Sequence, residues 1–419
     1  MSAAAEIVIT PDRIAHGGEA IARWEGKVVF VPYAIPGEEV RVRLVEEKAR
    51  YARAELLEVR QPSPDRVEPP CPYFGVCGGC QWQHVSYQRQ LDLRLEVAAD
   101  QMRRLGRVAE PPLDGIVPAD DPWGYLNQIA LYPVSAGEGA EGAPVGLGFV
   151  STDGHTVTPI ERCLLAHDLV DELHASIDLE WGAFRRLSLR AGVNTGDQLM
   201  LLETDTGEVP ELELELPASF AHLSDDEDLI TLVGDPYFHE RLHDRLYRIF
   251  APSYFPMHTA QVQNLVEVVR EFCSLDGSER VLDLFCGVGA FSLDLAARAA
   301  EVVGVEPSPW AAADAQANGE DLANYTIHEG EVDEVLPALE GSFPVVVVDP
   351  PRTGLGEAVI ASLIAVRPRR LVYVSDDPAT LARDTVALGE AGFQLTQMLA
   401  LDMYPQTAQV QTVALMSRA

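Results

Sequence analysis

Asp283-Leu284-Phe285-Cys286-Gly287-Val288-Gly289-Ala290-Phe291-Ser292 is the stretch that decides the fold. The apolar run Arg280–Leu284 reads as a buried strand, Gly287 and Gly289 as a tight turn, and Ala290 as the start of a helix. Glycines there let the chain reverse sharply and let a ligand approach the main chain. The next strand, Glu301–Val305, delivers Glu306 at its end, where a carboxylate can accept both hydroxyls of a ribose. Strands at Pro344–Val348 and Arg370–Val374 follow, with helical segments between them and an amphipathic helix, Thr259–Phe272, ahead of them. Apolar strands alternating with helices give an α/β, doubly wound parallel sheet over residues 246–419. Gln394–Leu401 and Gln409–Met416 read as an antiparallel closing pair. A glycine loop alone fits a nucleotide cofactor as well as an adenosyl donor.

Working toward the N-terminus, residues 1–62 read as a small all-β unit. Val28–Val31, the alternating Glu39–Val45 and Ala52–Val59 are its strands, and the counts suit a five-stranded barrel of oligonucleotide-binding type. Gln61-Pro62-Ser63-Pro64 is a stiff linker. Residues 67–245 form a central α+β domain with a helix near Tyr87–Leu105 and strands at Leu187–Arg190 and Gln198–Glu203. Within it, Ser135–Gly142 reads as a flexible loop and Glu208–Leu216 as a half-exposed strand.

The hydrophobic fraction, 47%, is that of a protein with ordinary cores, and no apolar run approaches the length of a membrane span. The N-terminal residues lack a secretion signal, so a cytoplasmic monomer is expected, with no membrane partner. The net charge of -34 argues against nucleic acid if taken alone. Its distribution softens the point, because basic residues nearly balance acids up to Arg66. Lysine occurs only at Lys27 and Lys48. A salty cytoplasm or a loss of nucleic-acid affinity would each account for that surface.

Cys71-x5-Cys77-Gly78-Gly79-Cys80 gathers three soft ligands on one loop, and Cys163 is the candidate fourth. Four thiolates suit an iron–sulfur cluster or zinc, and the five-residue gap favours the cluster. Cys273 and Cys286 read as buried bystanders. Asp349-Pro350-Pro351-Arg352, after the strand Val345–Val348, resembles the motif of methyltransferases that act on nucleobases.

Taken together, the barrel, the CGGC cluster, DLFCGVGAFS, DPPR, Tyr373-Val374-Ser375 followed by Pro378-Ala379-Thr380-Leu381-Ala382-Arg383-Asp384, and Asp402-Met403-Tyr404-Pro405 resemble the bacterial RNA uracil-5-methyltransferases. The closest likeness is to the subgroup that carries a 4Fe-4S cluster and acts on 23S ribosomal RNA. The resemblance implies a TRAM barrel, a class I Rossmann-like methyltransferase domain and S-adenosyl-L-methionine as donor, with rRNA or tRNA as partner. It also implies Asp283, Phe285, Gly287, Gly289, Glu306, Asp333, Asp349 and Pro350 as donor-binding residues, and Cys71, Cys77, Cys80 and Cys163 as cluster ligands. In that family a cysteine adds to carbon 6 of uracil, carbon 5 then attacks the methyl group, and a carboxylate removes the carbon-5 proton. The base must first leave its stack.

This chain departs from the pattern where the chemistry happens. Asp376 occupies the nucleophile position, and a carboxylate attacks an enone carbon poorly. Gln411 occupies the position of the glutamate base, and an amide cannot take that proton. Leu126 and Gln128 stand for an arginine and a lysine, Pro256 for a donor-contacting glutamine and His258 for an asparagine. The resemblance therefore implies a uracil-5 RNA methyltransferase impaired in the thiolate-dependent step. The alternatives are a non-catalytic RNA-binding or ribosome-assembly homologue, an enzyme redirected to another atom, such as an amine positioned by Asp376 and Asp377, and, more remotely, a redox sensor built on the cluster. Cys286 and His258 are minor candidates for a replacement nucleophile and base.

Overall fold

The computed structural model describes residues 5–134, 146–177, 184–205 and 217–418. The expected loop Ser135–Gly142 and the expected strand Glu208–Leu216 lie outside them. The first unit holds β1 (Glu6–Ile9), β2 (Arg13–Ile14), β3 (Ala20–Trp24), β4 (Lys27–Val31), β5 (Glu39–Glu47) and β6 (Tyr51–Gln61). Their order is β1-β5-β6-β4-β3-β2, six strands rather than the expected five, because Arg13–Ile14 pairs with β3 across the turn at Gly17 and Gly18. Alternation explains the curl: Val40, Val42 and Leu44 point inward while their neighbours carry charge.

The central region holds α1 (Tyr87–Arg104), β7 (Leu113–Val117), β8 (Gln128–Val134), β9 (Gly146–Val150), β10 (Val157–Pro159), α2 (Asp168–Ala175), β11 (Arg186–Ala191), β12 (Gln198–Glu203), β13 (Ser219–Leu223) and β14 (Leu229–Val233). Seven of these strands form the sheet β10-β9-β8-β11-β12-β13-β14, with α2 packed on it. A hairpin of β15 (Tyr237–Leu242) and β16 (Arg245–Phe250) follows.

The C-terminal region holds α3 (Thr259–Cys273), β17 (Arg280–Leu284), α4 (Ala290–Ala296), β18 (Glu301–Glu306), α5 (Pro309–Asn318), β19 (Tyr325–Glu329), α6 (Val332–Val335), β20 (Val345–Val348), α7 (Gly356–Val366), β21 (Arg370–Ser375), α8 (Pro378–Glu390), β22 (Gln394–Leu401) and β23 (Gln411–Ser417). Its sheet runs β19-β18-β17-β20-β21-β23-β22-β7. The five strands from β19 to β21 are parallel, and β23 is antiparallel to both of its neighbours. Helices cover both faces, and β20 is four fully buried valines, as a strand sandwiched between helix layers requires.

Two elements cross the sequence boundary drawn at residue 246. β7 adds to the edge of the C-terminal sheet beside β22, and α1 joins the core beneath α8. Their apolar faces find partners far along the chain, which period alone could not reveal. The β15–β16 hairpin is likewise fastened to α5: Arg248 Nε at 2.9 Å, the Phe250 amide at 2.7 Å and Ser253 Oγ at 2.7 Å all donate to buried Asp314.

Candidate functional site

Asp283, one residue before the end of β17, is buried; its Oδ2 accepts from Ser292 Oγ at 2.6 Å, while Oδ1 has no partner among the described residues. Burial pushes this carboxyl up to about 7, and nearby Glu306 adds to the effect. The loop that follows has left-handed backbone at Phe285 (φ 60°), Gly287 (φ 56°) and Gly289 (φ 90°). Gly289 then caps α4. Glu306 closes the loop from the next strand: the amides of Gly287 and Ser308 each donate to one of its oxygens at 2.8 Å. Those bonds hold the carboxylate in place and leave lone pairs for a ligand's hydroxyls. Burial also raises the Glu306 carboxyl.

The loop and Glu306 border one cavity of about 970 Å³, although Asp283 and Gly289 are not among its lining residues. Phe285, Gly287, Glu306, Asp349 and Pro350 line one end of it. Asp349 is pushed up to about 8 by burial, with Asp376, Asp283 and Glu306 adding repulsion. Of the expected donor-site acids, Asp333 is not brought there. It is exposed on α6, and the residue that reaches the cavity is Glu331, two positions earlier. Glu331 follows the Gly330 turn (φ 144°) and is itself exposed, while Asp333 lies on the helix.

Asp376 and Gln411 meet at the same cavity. Ser375 and Thr412 form a cross-strand pair of β21 and β23, so one step further along the strands Asp376 stands opposite Gln411. Arg352 Nε lies 3.5 Å from Asp376 Oδ2, and Arg352 Nη2 donates to Gln409 Oε1 at 2.8 Å. Gln411 is 5% exposed and makes no side-chain hydrogen bond among the described residues. Asp377 is not free to hold a substrate, because its side chain accepts from the amides of Ala379 and Thr380 to cap α8.

The two minor candidates also find structural roles. The Cys286 sulfur packs against Gly304 and Tyr325, and burial raises its thiol far above the ordinary range. His258 caps α3, accepting from the Gln261 amide, and stacks on Tyr125 at 4.7 Å. Burial lowers it to about 4, so its imidazole is neutral.

Tyr254 and Arg94 were not singled out in the sequence, whereas Leu126 and Gln128 were. Tyr254 is 60% exposed at the cavity rim, near Tyr404 and Asp376. Leu126 and Gln128 also line the cavity, and Gln128 Nε2 donates to the Phe255 carbonyl at 3.1 Å. Arg94 on α1 is fully buried, donates to the carbonyls of Tyr404, Thr407 and Gln409, and lies 3.2 Å from Asp402. It therefore fixes the loop that precedes β23 and Gln411.

Cys71, Cys77, Cys80 and Cys163 line the opposite end of the same cavity. Burial pushes Cys80 up to about 12 and Cys163 up to about 11, and the neighbouring thiols reinforce both shifts. The cysteine loop is pinned by the Gly78 amide on the Val150 carbonyl and by the Gln81 and Trp82 amides on the Gln406 carbonyl. Among the described residues, no three His, Cys, Asp or Glu side chains converge on a single-ion site.

Residues 5–57 match the family described as TRAM domain, and residues 281–365 match that described as Methyltransferase domain. An uncharacterized RNA methyltransferase of Thermosynechococcus vestitus is 36% identical over 99% of this chain and 98% of its own length. Another, from Streptomyces avermitilis, is 34% identical over 99% and 98%. This chain belongs to the RNA methyltransferase family. A solved member of similar architecture is the Pyrococcus abyssi tRNA (uracil-54, C5)-methyltransferase in complex with S-adenosyl-L-homocysteine. It is 26% identical, with a TM-score of 0.76 over 98% of this chain and 100% of that one. The fold is thus a TRAM domain joined to a class I methyltransferase domain, as the sequence implied. No helix is long and apolar enough to cross a membrane.

Proposed function

We propose that this protein transfers a methyl group from S-adenosyl-L-methionine to a base of rRNA or tRNA without forming a covalent enzyme–base adduct. The observation that carries the proposal is the joining, in one cavity, of a donor end with a reacting end formed by Asp376 and Gln411. At the donor end Glu306 would take the ribose hydroxyls, and the loop from Phe285 to Gly289 would lie along the donor. Acids facing the cavity suit a cationic sulfonium. At the reacting end, Asp376 and Gln411 offer neither a thiolate nor a glutamate base, and the nearby Cys286 sulfur faces inward. Methylation of uridine carbon 5 by the family route is accordingly disabled.

Cys71, Cys77, Cys80 and Cys163 would hold a 4Fe-4S cluster. The supporting observation is that the four thiols line one cavity and lie close enough to raise one another's pKa, a soft donor set that suits an iron–sulfur cluster. Such a cluster would act as a covalent clamp on a loop that this chain already ties to Gln406.

Titration calorimetry with S-adenosyl-L-methionine, followed by transfer of tritiated methyl onto RNA, tests the proposal. Binding with transfer supports it. Binding without transfer would indicate a non-catalytic homologue.

A further inference from the structure

The reacting end of the cavity also bears on which atom receives the methyl group. Building on the reading above, we infer that the target is an exocyclic amine, N4 of a cytosine or N6 of an adenine in RNA. The geometry points to it through Asp376 and Gln411, which stand opposite each other where β21 and β23 end. Gln411 is more than nine-tenths buried at the cavity wall, and its amide makes no side-chain hydrogen bond among the described residues. A carboxylate can only accept from a base edge, whereas an amide can donate beside it. Cytosine and adenine present an amine donor next to a ring-nitrogen acceptor, which complements that pair. Uracil can also pair, N3–H to Asp376 and O4 to Gln411, but it brings no exocyclic amine whose lone pair could attack the methyl group.

The surroundings supply the rest of a base site. Tyr254, exposed at the rim, offers a ring on which an extruded base can stack. Arg352, 60% exposed beside Asp376, can hold the adjoining phosphate or steady the carboxylate. The chemistry balances without a covalent adduct. The amine nitrogen's lone pair forms the new N–C bond to the methyl carbon. The C–S bond breaks with its electrons moving to sulfur, which leaves a neutral thioether. The proton lost from nitrogen passes to the Asp376 carboxylate and then to solvent.

The test uses the full-length protein, a donor with a deuterated methyl group, and RNA from cells lacking the gene. Nucleosides are then resolved by mass spectrometry. Label on N4 of cytidine or on N6 of adenosine is expected, and the two products differ in mass and retention. Asp376→Asn should keep donor binding by calorimetry while lowering turnover roughly 10²–10⁴-fold, the range for loss of a general base. Tyr254→Ala should raise KM for RNA more than it lowers kcat. Label on a ring nitrogen overturns this inference and leaves the proposed function standing, whereas label on uridine C5 or on ribose overturns both. Absence of any label from RNA overturns both. Unchanged turnover in Asp376→Asn overturns the role of that carboxylate.

Discussion

At the residue scale, the donor end is governed by where carboxylates stand relative to water. Asp349 is pushed up to about 8 and Asp283 to about 7, mainly by burial. The empty protein therefore holds protons that an unfolded chain releases near pH ~4. Their ionisation disfavours the fold, so stability should fall as pH rises from about 4 to about 8 and then level off. A cationic donor favours the ionised acids, so binding should tighten over pH 6 to 8 and release protons. Calorimetry in two buffers of different ionisation enthalpy measures that release, and pH-independent binding would contradict it. Glu306→Gln should weaken donor binding roughly 10- to 100-fold, the worth of one or two charge-assisted hydrogen bonds. The glycine loop and Glu306 were legible in the sequence because their chemistry follows directly from chain order. Glu331 was not, because which of the acids Glu331, Asp333 and Glu334 borders the cavity depends on the tertiary packing of α6 rather than on residue type. Tyr254 gave no signal either, since nothing in its neighbours distinguishes a rim tyrosine from a core one.

At the scale of elements, Arg94 on α1 shows how a helix far along the chain sets the reacting end. It satisfies three carbonyls of the loop from Tyr404 to Gln409, pairs with buried Asp402 and stacks on Trp82 at 5.2 Å. Removing one member of a buried pair leaves the other charge uncompensated. Arg94→Met should therefore cost about 3–5 kcal/mol in denaturant unfolding. A loss below about 1 kcal/mol would mean that the loop is held by other contacts. The strands β17, β18, β20 and β21 were readable as apolar runs between helices. β7 was not, because a five-residue strand that pairs with residues far along the chain, Leu113 with Met398, carries no local mark of its partner. β2 was missed for a similar reason: two residues are too few to show alternation.

At the scale of the whole molecule, a single cavity reaches from the cysteine loop to the donor loop, and the barrel packs against both ends of the chain that frame it. Trp82 Nε1 donates to the Gly18 carbonyl at 3.1 Å, and no side chain would fit at Gly18 against Ala408. Cys80→Ser should abolish bound iron, measured as about four irons per chain in the native protein, and should lower the thermal midpoint. Retention of iron would remove Cys80 from the ligand set. The barrel's cations are largely spent on its own surface: Arg41 bonds Glu6 and Glu58, Arg43 bonds Glu55, and Arg53 bonds Glu19. RNA binding should accordingly show a shallow salt dependence, a slope magnitude below about 3 on a log–log plot, measured by filter binding. A steep slope would show that those pairs open to meet phosphate. The central claim concerns the missing sulfur, and RNA carrying 5-fluorouracil tests it most directly. Incubated with this RNA and donor, the native protein should give no denaturation-resistant protein–RNA adduct on a gel, whereas Asp376→Cys should allow one to form. An adduct on the native protein would contradict the account.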